Sequence, residues 1–194
     1  MKNALLIVDL QNDFVEGGSL PVPGGKTVVA QVARHLRHFR TEYDFVVASR
    51  DYHEDPGNHF SDQPDFVNTW PKHCVIGTPG ATLCNPILNL VREKYIHVVV
   101  DKGRHGEAQS AFEGADARGH LLYDVLREAR VEHVDICGLI TEYCVRASAL
   151  DARKKELQVR VLVNLCGAAN AEAGQRALEE MKAAGCQLMA ASAP

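Results

Sequence analysis

Long apolar runs are absent from this sequence of 194 residues. The first one, 4-ALLIV-8, is followed directly by an acid. It is too short for the core of a signal peptide and far too short to span a bilayer. We therefore expect a cytoplasmic protein without a membrane partner.

The chain also lacks a cluster of basic residues. Its net charge is −4, and its lysines and arginines are scattered along the sequence. This distribution offers no basic surface to a polyanion, so a nucleic-acid partner is not expected. The sequence leaves the oligomeric state open between a monomer and a small homo-oligomer.

Closely spaced cysteine pairs are missing as well, which argues against a disulfide scaffold and a zinc ribbon. The six cysteines are Cys74, Cys84, Cys137, Cys144, Cys166 and Cys186. In a cytoplasmic chain, free and mostly buried thiols are expected, and only one or two of them should be reactive.

No repeat, linker or low-complexity tract divides the sequence, so residues 1–194 are interpreted as a single domain. The predicted strands are 4–8, 45–49, 96–100, 133–139, 159–164 and 186–191, and the predicted helices are 25–42, 85–94, 119–130, 142–155 and 171–184. Several strands are nearly continuous in Val, Ile and Leu. This alternation predicts a doubly wound α/β fold: a mainly parallel sheet of about six strands with helices on both faces.

Two irregular connections, 50–84 and 101–118, are long for a compact domain. Connections of such length are usually functional or disordered. Because both follow predicted strands, we expect them at the carboxyl edge of the sheet, where ligands bind in folds of this class.

Asp9, Lys102 and Cys144 each stand close to the end of a predicted strand. A carboxylate, an ammonium group and a thiol could therefore converge at one edge. Thr141 is a candidate N-cap, which would place Cys144 in a first helical turn, where the helix dipole and Lys102 lower its pKa. Asp9 could then act as general base and later as general acid. Each residue alone is more often a cap, a solvated charge or packing, and only their joint placement favours catalysis.

The segment 50-RDYHEDPGNHFSD-62 raises the question of a metal site. Asp51 and His53 are two residues apart, so both can point the same way from an extended strand. A proline-glycine turn could fold His59 back, and His73 follows in the same connection. One carboxylate with two or three imidazoles suits Fe(II), Zn(II) or Mn(II), although such a loop is more often only a loop. The other histidines are expected on surfaces or in strands.

Several longer stretches carry a family resemblance. They are 7-IVDLQNDF-14, 17-GGSLPVPGG-25, 51-DYHEDPGNHFS-61, 70-WPKHCVIGTPGA-81, 102-KGRHGEAQSAFEG-114 and 138-GLITEYCVRASALDA-152. In this order, over nearly the whole chain, they resemble the nicotinamidase/pyrazinamidase branch of the isochorismatase-like cysteine hydrolases, in its mycobacterial type. The resemblance implies a metal-containing amidase of NAD salvage that converts nicotinamide to nicotinate and ammonia, and pyrazinamide to pyrazinoate.

The resemblance also assigns roles to residues. Asp9, Lys102 and Cys144 match the catalytic triad; Asp51, His53 and His73 match the metal ligands, and His59 a further ligand of the mycobacterial type. The family's cis peptide matches Leu139–Ile140, and it aims the amides of Ile140 and Cys144 at the oxyanion. The metal (Fe, Zn or Mn) is implied to bind the ring nitrogen of the substrate and orient it. The implied pocket positions are Phe14, Leu20, Trp70, Gln109 and Tyr143.

Four positions depart from the family pattern. Ile140 replaces the usual Ala, Glu142 replaces the usual Asp, Gln109 stands at the position of a tyrosine and Tyr143 at that of a histidine. These departures concern substrate preference and not the reaction class.

Two other functions compete with this hypothesis. A cysteine amidohydrolase that acts on another small carboxamide or an N-carbamoyl compound would use the same thiol, but such relatives generally lack the Asp-His…His set. A non-catalytic binding protein on the same scaffold would usually have lost Asp9, Lys102 or Cys144, and all three are present.

Overall fold

The computed structural model describes residues 2–192. Strands and helices alternate along the chain: β1 (Lys2–Val8), α1 (Gly25–His38), β2 (Phe45–Asp51), α2 (Asn85–Arg92), β3 (Val98–Lys102), α3 (Leu122–Glu128), β4 (Val131–Leu139), α4 (Arg146–Lys154), β5 (Gln158–Gly167), α5 (Ala171–Ala183) and β6 (Gln187–Met189). One turn of π-helix, Thr141–Val145, leads directly into α4.

The strands form one sheet in the order β3-β2-β1-β4-β5-β6, and all neighbours are parallel. The predicted fold class is therefore confirmed. Strand β3 ends two residues later than expected, because Val98–Lys102 pair with Val47–Asp51 of β2. Lys102 is thus the last residue of a strand and not the residue after one.

Helices cover both faces of the sheet and bury two apolar cores. On one face Leu5 and Ile7 of β1 pack in a cluster with residues of α1 and α2. On the other face Leu6 and Val8 pack in a cluster with residues of α3, α4 and α5. Because successive side chains of a strand point to opposite faces, β1 must be apolar throughout, which explains the continuous run 4-ALLIV-8.

The two long connections leave the carboxyl ends of β2 and β3, as expected. The first of them is held together by short bridges, His53 with Val75 and Phe60 with Trp70. Between residues 2 and 192, no helix is long and apolar enough to cross a membrane.

Candidate active site and metal centre

An acid, a lysine and a thiol meet at the carboxyl edge of the sheet. Asp9 follows β1, Lys102 ends β3, and Cys144 lies in the π-helical turn after β4. Lys102 Nζ lies 3.0 Å from Asp9 Oδ2 and 3.5 Å from Cys144 Sγ, and all three side chains are buried. The order of the strands reverses between β1 and β4, which is where sheets of this class bind ligands.

Asp9 is fixed in place by β2. Ser49 Oγ donates a hydrogen bond of 2.7 Å to Asp9 Oδ1, and the Asp9 amide donates to the Ser49 carbonyl at 3.2 Å. The backbone of Asp9 has a φ of 46°, a left-handed conformation that few residues other than glycine adopt. The sequence prediction missed Ser49, although a serine inside the apolar strand 45-FVVAS-49 is a signal that a buried polar partner is near.

The turn that carries Cys144 differs from the prediction. Ile140 occupies the N-cap position in an extended conformation, with no side-chain cap, and Thr141 is already the first residue of the turn. The prediction that Thr141 caps this helix was therefore wrong. The Leu139–Ile140 peptide bond is cis, as the family resemblance implied.

Ser148 links this turn to the connection that follows β3. Its hydroxyl donates to the Cys144 carbonyl at 2.6 Å and accepts from the Ala111 amide at 2.9 Å. Ser148 is fully buried, so both bonds are shielded from water. It is a second supporting residue that the sequence alone did not reveal.

Burial controls the protonation of the thiol. It raises the pKa of Cys144 well above the ordinary value, and the positive charge of Lys102 offsets only part of this. The prediction of a lowered pKa was wrong, because the desolvation of a thiolate outweighs the attraction of one cation. Burial also raises the pKa of Asp9, which makes its carboxylate a stronger base. The resting pair is therefore a protonated thiol beside an acceptor for its proton.

Three imidazoles and a carboxylate converge next to this group. Ring nitrogens of His53, His59 and His73 lie within 4.8 Å of one another. Asp51 Oδ2 lies 3.8 Å from His53 Nε2 and 3.6 Å from His73 Nε2. The structure thus brings together all four residues for which the sequence predicted metal ligation.

The orientation of the imidazoles fits a divalent transition metal. His53 Nδ1 donates to the Gly103 carbonyl at 2.6 Å and His73 Nδ1 donates to the Pro71 carbonyl at 2.8 Å, so Nε2 is the nitrogen that each ring directs at the cluster. Among the described residues, the buried atoms His53 Nε2 and His59 Nδ1 have no hydrogen-bond partner. Carbonyl-bound imidazoles with free second nitrogens are the usual arrangement of metal-ligating histidines.

The protonation states of this cluster also suit metal ligands. Burial lowers the pKa of His59 to about 4, with help from the neighbouring His53 and His73. Burial opposes the charge of Asp51, but the ammonium group of Lys102 outweighs it and holds the pKa of that carboxyl well below its usual range. A neutral imidazole and an ionised carboxylate are the forms that bind a metal.

Lys102 joins the metal candidate to the thiol. Its ammonium group donates to Asp51 Oδ1 as well as contacting Asp9. Burial disfavours the ammonium charge, but the attraction of Asp51 and Asp9 raises the pKa of Lys102 well above its ordinary value. Lys102 therefore stays charged and balances the two carboxylates.

Gln11 holds the backbone of Asp51, a role that the sequence prediction missed. Its Nε2 donates to the carbonyls of Asp51 at 2.7 Å and Ala81 at 2.9 Å, and its Oε1 accepts from the Asp51 amide at 2.8 Å. Gln11 is fully buried and pairs with Asp51 much as a neighbouring strand would.

A small cavity of about 30 Å³ opens between the thiol and the imidazoles. Its walls include Phe14, Leu20, Asp51, His59, Trp70, His73, Ala108, Gln109, Ile140, Tyr143 and Cys144. All five predicted pocket residues are among them. Trp70 and Tyr143 meet edge to face, with ring centroids 4.8 Å apart.

Comparison with known proteins identifies the family to which the chain belongs. The family model described as the isochorismatase domain matches residues 3–193. The chain therefore belongs to the isochorismatase family, and the family expected from its motifs is confirmed.

Nicotinamidases and pyrazinamidases are among the proteins to which the chain is similar. The chain is 44% identical to the nicotinamidase/pyrazinamidase of Mycobacterium tuberculosis over 189 residues, which are 97% of this chain and 99% of that protein. It resembles the solved structure of the pyrazinamidase of Pyrococcus horikoshii in complex with zinc, with a TM-score of 0.79, 38% identity and coverage of 98% and 99%. It also resembles the yeast nicotinamidase bound to the inhibitor nicotinaldehyde, with a TM-score of 0.84, 27% identity and coverage of 97% and 99%.

Proposed function

We propose that this protein is a nicotinamidase, a cysteine amidase that converts nicotinamide to nicotinate and ammonia and so supplies NAD salvage. Pyrazinamide, which carries a ring nitrogen at the same distance from its carboxamide, is proposed as a second substrate. One observation carries the proposal: a single cavity has the Cys144 thiol in one wall and the imidazoles of His59 and His73 in another. An aromatic carboxamide with a ring nitrogen would present its carboxamide carbon to the thiol and its ring nitrogen to the imidazole side.

The first half of the reaction uses Asp9 and Cys144. Asp9 takes the thiol proton as the sulfur attacks the carboxamide carbon, and the resulting tetrahedral intermediate collapses to a thioester. The C–N bond breaks and ammonia leaves with the proton from Asp9. The ammonium group of Lys102 lies 3.5 Å from the sulfur and stabilises the negative charge of the thiolate.

The second half restores the thiol. A water molecule attacks the thioester while Asp9 accepts one of its protons. The C–S bond then breaks, nicotinate leaves, and the proton returns to Cys144. In both halves the amides of Ile140 and Cys144 are proposed to donate to the oxyanion, and losing one such donor typically costs about 3–4 kcal/mol of barrier.

Asp51, His53, His59 and His73 are proposed to hold one divalent metal, which is Fe, Zn or Mn. When bound, the metal supplies a Lewis acid for the ring nitrogen and so orients the substrate. Phe14, Leu20 and Trp70 provide apolar walls for the ring, and Gln109 and Tyr143 complete them.

The test is ammonia release by the purified protein, with metal analysis of the same sample. Nicotinamide and pyrazinamide should release ammonia, whereas benzamide, which lacks a ring nitrogen, and an N-carbamoyl compound should release little. Cys144→Ala should lower the rate by at least about 10³-fold, because the nucleophile is lost. Cys186→Ala removes a buried thiol just before β6; it is the matched control and should keep its rate.

Two results would contradict the proposal. One is a Cys144→Ala variant that hydrolyses nicotinamide at the rate of the unsubstituted protein. The other is a preference for the N-carbamoyl compound, which would retain the thiol chemistry but assign a different substrate.

A further inference from the structure

The cavity between the thiol and the imidazoles is too small for the substrate class that the proposed function requires. It measures about 30 Å³, whereas a cavity that admits benzene has on the order of 150 Å³. If the proposed function holds, at least one wall must move before an aromatic carboxamide can enter.

Part of the cavity wall also borders open space on its outer side. A groove of about 430 Å³ lies on the outer side and shares Leu20, Trp70, Ile140 and Tyr143 with the inner cavity. Among the remaining walls, Phe14 is 2% exposed within the core, and Asp51 and His73 are held by hydrogen bonds. The rings of Trp70 and Tyr143, here called the aromatic partition, stand between the inner cavity and the outer groove.

A hydrogen bond fastens this partition. Tyr143 Oη donates to the Phe66 carbonyl at 3.3 Å, and the Phe66 ring meets Trp70 edge to face at 6.0 Å. The Phe66 side chain is 50% exposed, so little else holds it against the protein. The contact of Tyr143 with the 65–69 loop therefore fastens the partition at the tip of a long connection.

The 65–69 loop is closed by its own hydrogen bonds. Asp65 Oδ1 accepts from the amides of Val67, Asn68 and Thr69 at 2.8 to 2.9 Å. These bonds lower the pKa of Asp65 and keep it ionised. The loop thus presents the Phe66 carbonyl as a fixed acceptor, and opening the partition breaks the bond to Tyr143 without unfolding the loop.

We propose that Tyr143 is a specificity-determining residue: it closes the aromatic partition, and displacement of the partition joins the inner cavity to the outer groove. The joined space takes pyridine carboxamides that carry a substituent on the ring. With the ring nitrogen at the imidazoles and the carboxamide at Cys144, the 5-position of nicotinamide is the ring edge that faces neither.

The first experiment measures the opening of the partition in the absence of substrate. Trp70 is the only tryptophan in the chain, so its fluorescence and its quenching by acrylamide report on this site alone. Tyr143→Phe keeps the ring but removes the hydroxyl, and the net worth of one neutral hydrogen bond corresponds to about a fivefold change in an opening equilibrium. The quenching constant of Trp70 should rise clearly in Tyr143→Phe and stay unchanged in Tyr123→Phe, a tyrosine on α3 remote from the cavity.

The second experiment measures selectivity. The ratio of kcat/KM for 5-phenylnicotinamide to kcat/KM for nicotinamide should rise at least about tenfold in Tyr143→Ala, since removal of the ring opens the groove. An unchanged ratio, or an unchanged quenching constant in Tyr143→Phe, would overturn the role of Tyr143. If no amide is hydrolysed, the proposed function fails, and the quenching experiment still decides whether Tyr143 closes the partition.

Discussion

Lys102 lies between the thiol and the metal candidate. Its ammonium group contacts Asp9 on one side and Asp51 on the other, and Cys144 Sγ lies 3.5 Å away. A buried lysine without partners would lose its charge, whereas two carboxylates retain it here. The same cation therefore serves both the thiol and the metal candidate, which explains why the two lie so close together.

Gly103 allows His53 to approach the strand end closely. Its φ is +72°, and a Cβ at this position would lie 2.7 Å from His53 Cε1 and 3.0 Å from Nδ1. We predict that Gly103→Ala pushes the imidazole away and weakens metal binding about 10–100-fold, the usual effect of losing support for a ligand. Bound metal, measured by mass spectrometry after dialysis against a metal buffer, checks this expectation.

The same connection offers a matched control. A Cβ on Gly106 would meet nothing within 4 Å, so Gly106→Ala should bind metal as the unsubstituted protein does. Equal metal content in the two glycine variants would show that His53 does not depend on the close approach of Gly103.

The sequence pattern indicated the reactive side chains but not the residues that hold them in place by hydrogen bonds. Asp9 and Cys144 stand out because charged or nucleophilic residues follow apolar strands. Gln11 and Ser49 support Asp51 and Asp9 from other strands or connections. Their partners are about 40 residues away in sequence, and only the strand order decides which distant polar groups meet.

At the scale of elements, α1 is tied to β4 by a buried polar network at a distance from the candidate site. His35 Nε2 lies 2.8 Å from Tyr43 Oη, and that hydroxyl donates to Asp135 Oδ2 at 3.3 Å. Arg160 completes it with two bonds to the Asp135 carboxylate, at 2.6 and 2.8 Å. The sequence placed His35 on a surface or in a strand, which was wrong: it is buried in α1.

This network predicts how stability depends on pH. Burial lowers the pKa of His35, and the charge of Asp135 only partly opposes this. The unfolded chain therefore takes up a proton at a higher pH than the folded protein. Stability from the neutral ring is fully present above the ordinary histidine pKa of about 6.5 and is lost as the pH falls below it. Urea unfolding at pH 8 and pH 5 should show a larger loss for the unsubstituted protein than for His35→Gln.

His35→Gln keeps a group that can hydrogen-bond to Tyr43 but cannot be protonated. The other histidines are the same in both proteins. A difference between the proteins in the stability lost on acidification therefore comes from His35. An identical loss of stability on acidification in both proteins would contradict the assignment.

The sequence predicted the order of the strands and helices more accurately than the residues at which they begin and end. The apolar runs located every strand, because a strand buried on both faces must be apolar throughout. Helix α1 was expected to reach residue 42 but ends at His38, and a short turn at Arg40–Glu42 follows. The π-helical turn at Thr141–Val145 was not foreseen, since helical periodicity in sequence does not distinguish it from α-helix.

At the scale of the whole molecule, the order of the strands assembles the site. Four strands, β1 to β4, each carry one of the site residues at their carboxyl end. Asp51 and Lys102 end β2 and β3, whereas Asp9 and Cys144 follow β1 and β4. Since all strands are parallel, their carboxyl ends share one edge, and residues scattered over about two-thirds of the chain meet there. The sequence predicts this shared edge, but which side chains touch depends on the register of neighbouring strands.

The central claim is that Cys144 forms a thioester with the acyl group of nicotinamide, while the metal site only holds the ring. Trapping by hydroxylamine tests it most directly, because this nucleophile competes with water for a thioester and converts it to nicotinohydroxamate. With nicotinamide as substrate, the unsubstituted protein should form nicotinohydroxamate at the expense of nicotinate, and Cys144→Ala should form neither. Rapid production of nicotinate without any hydroxamate, or turnover that survives in Cys144→Ala, would contradict the account.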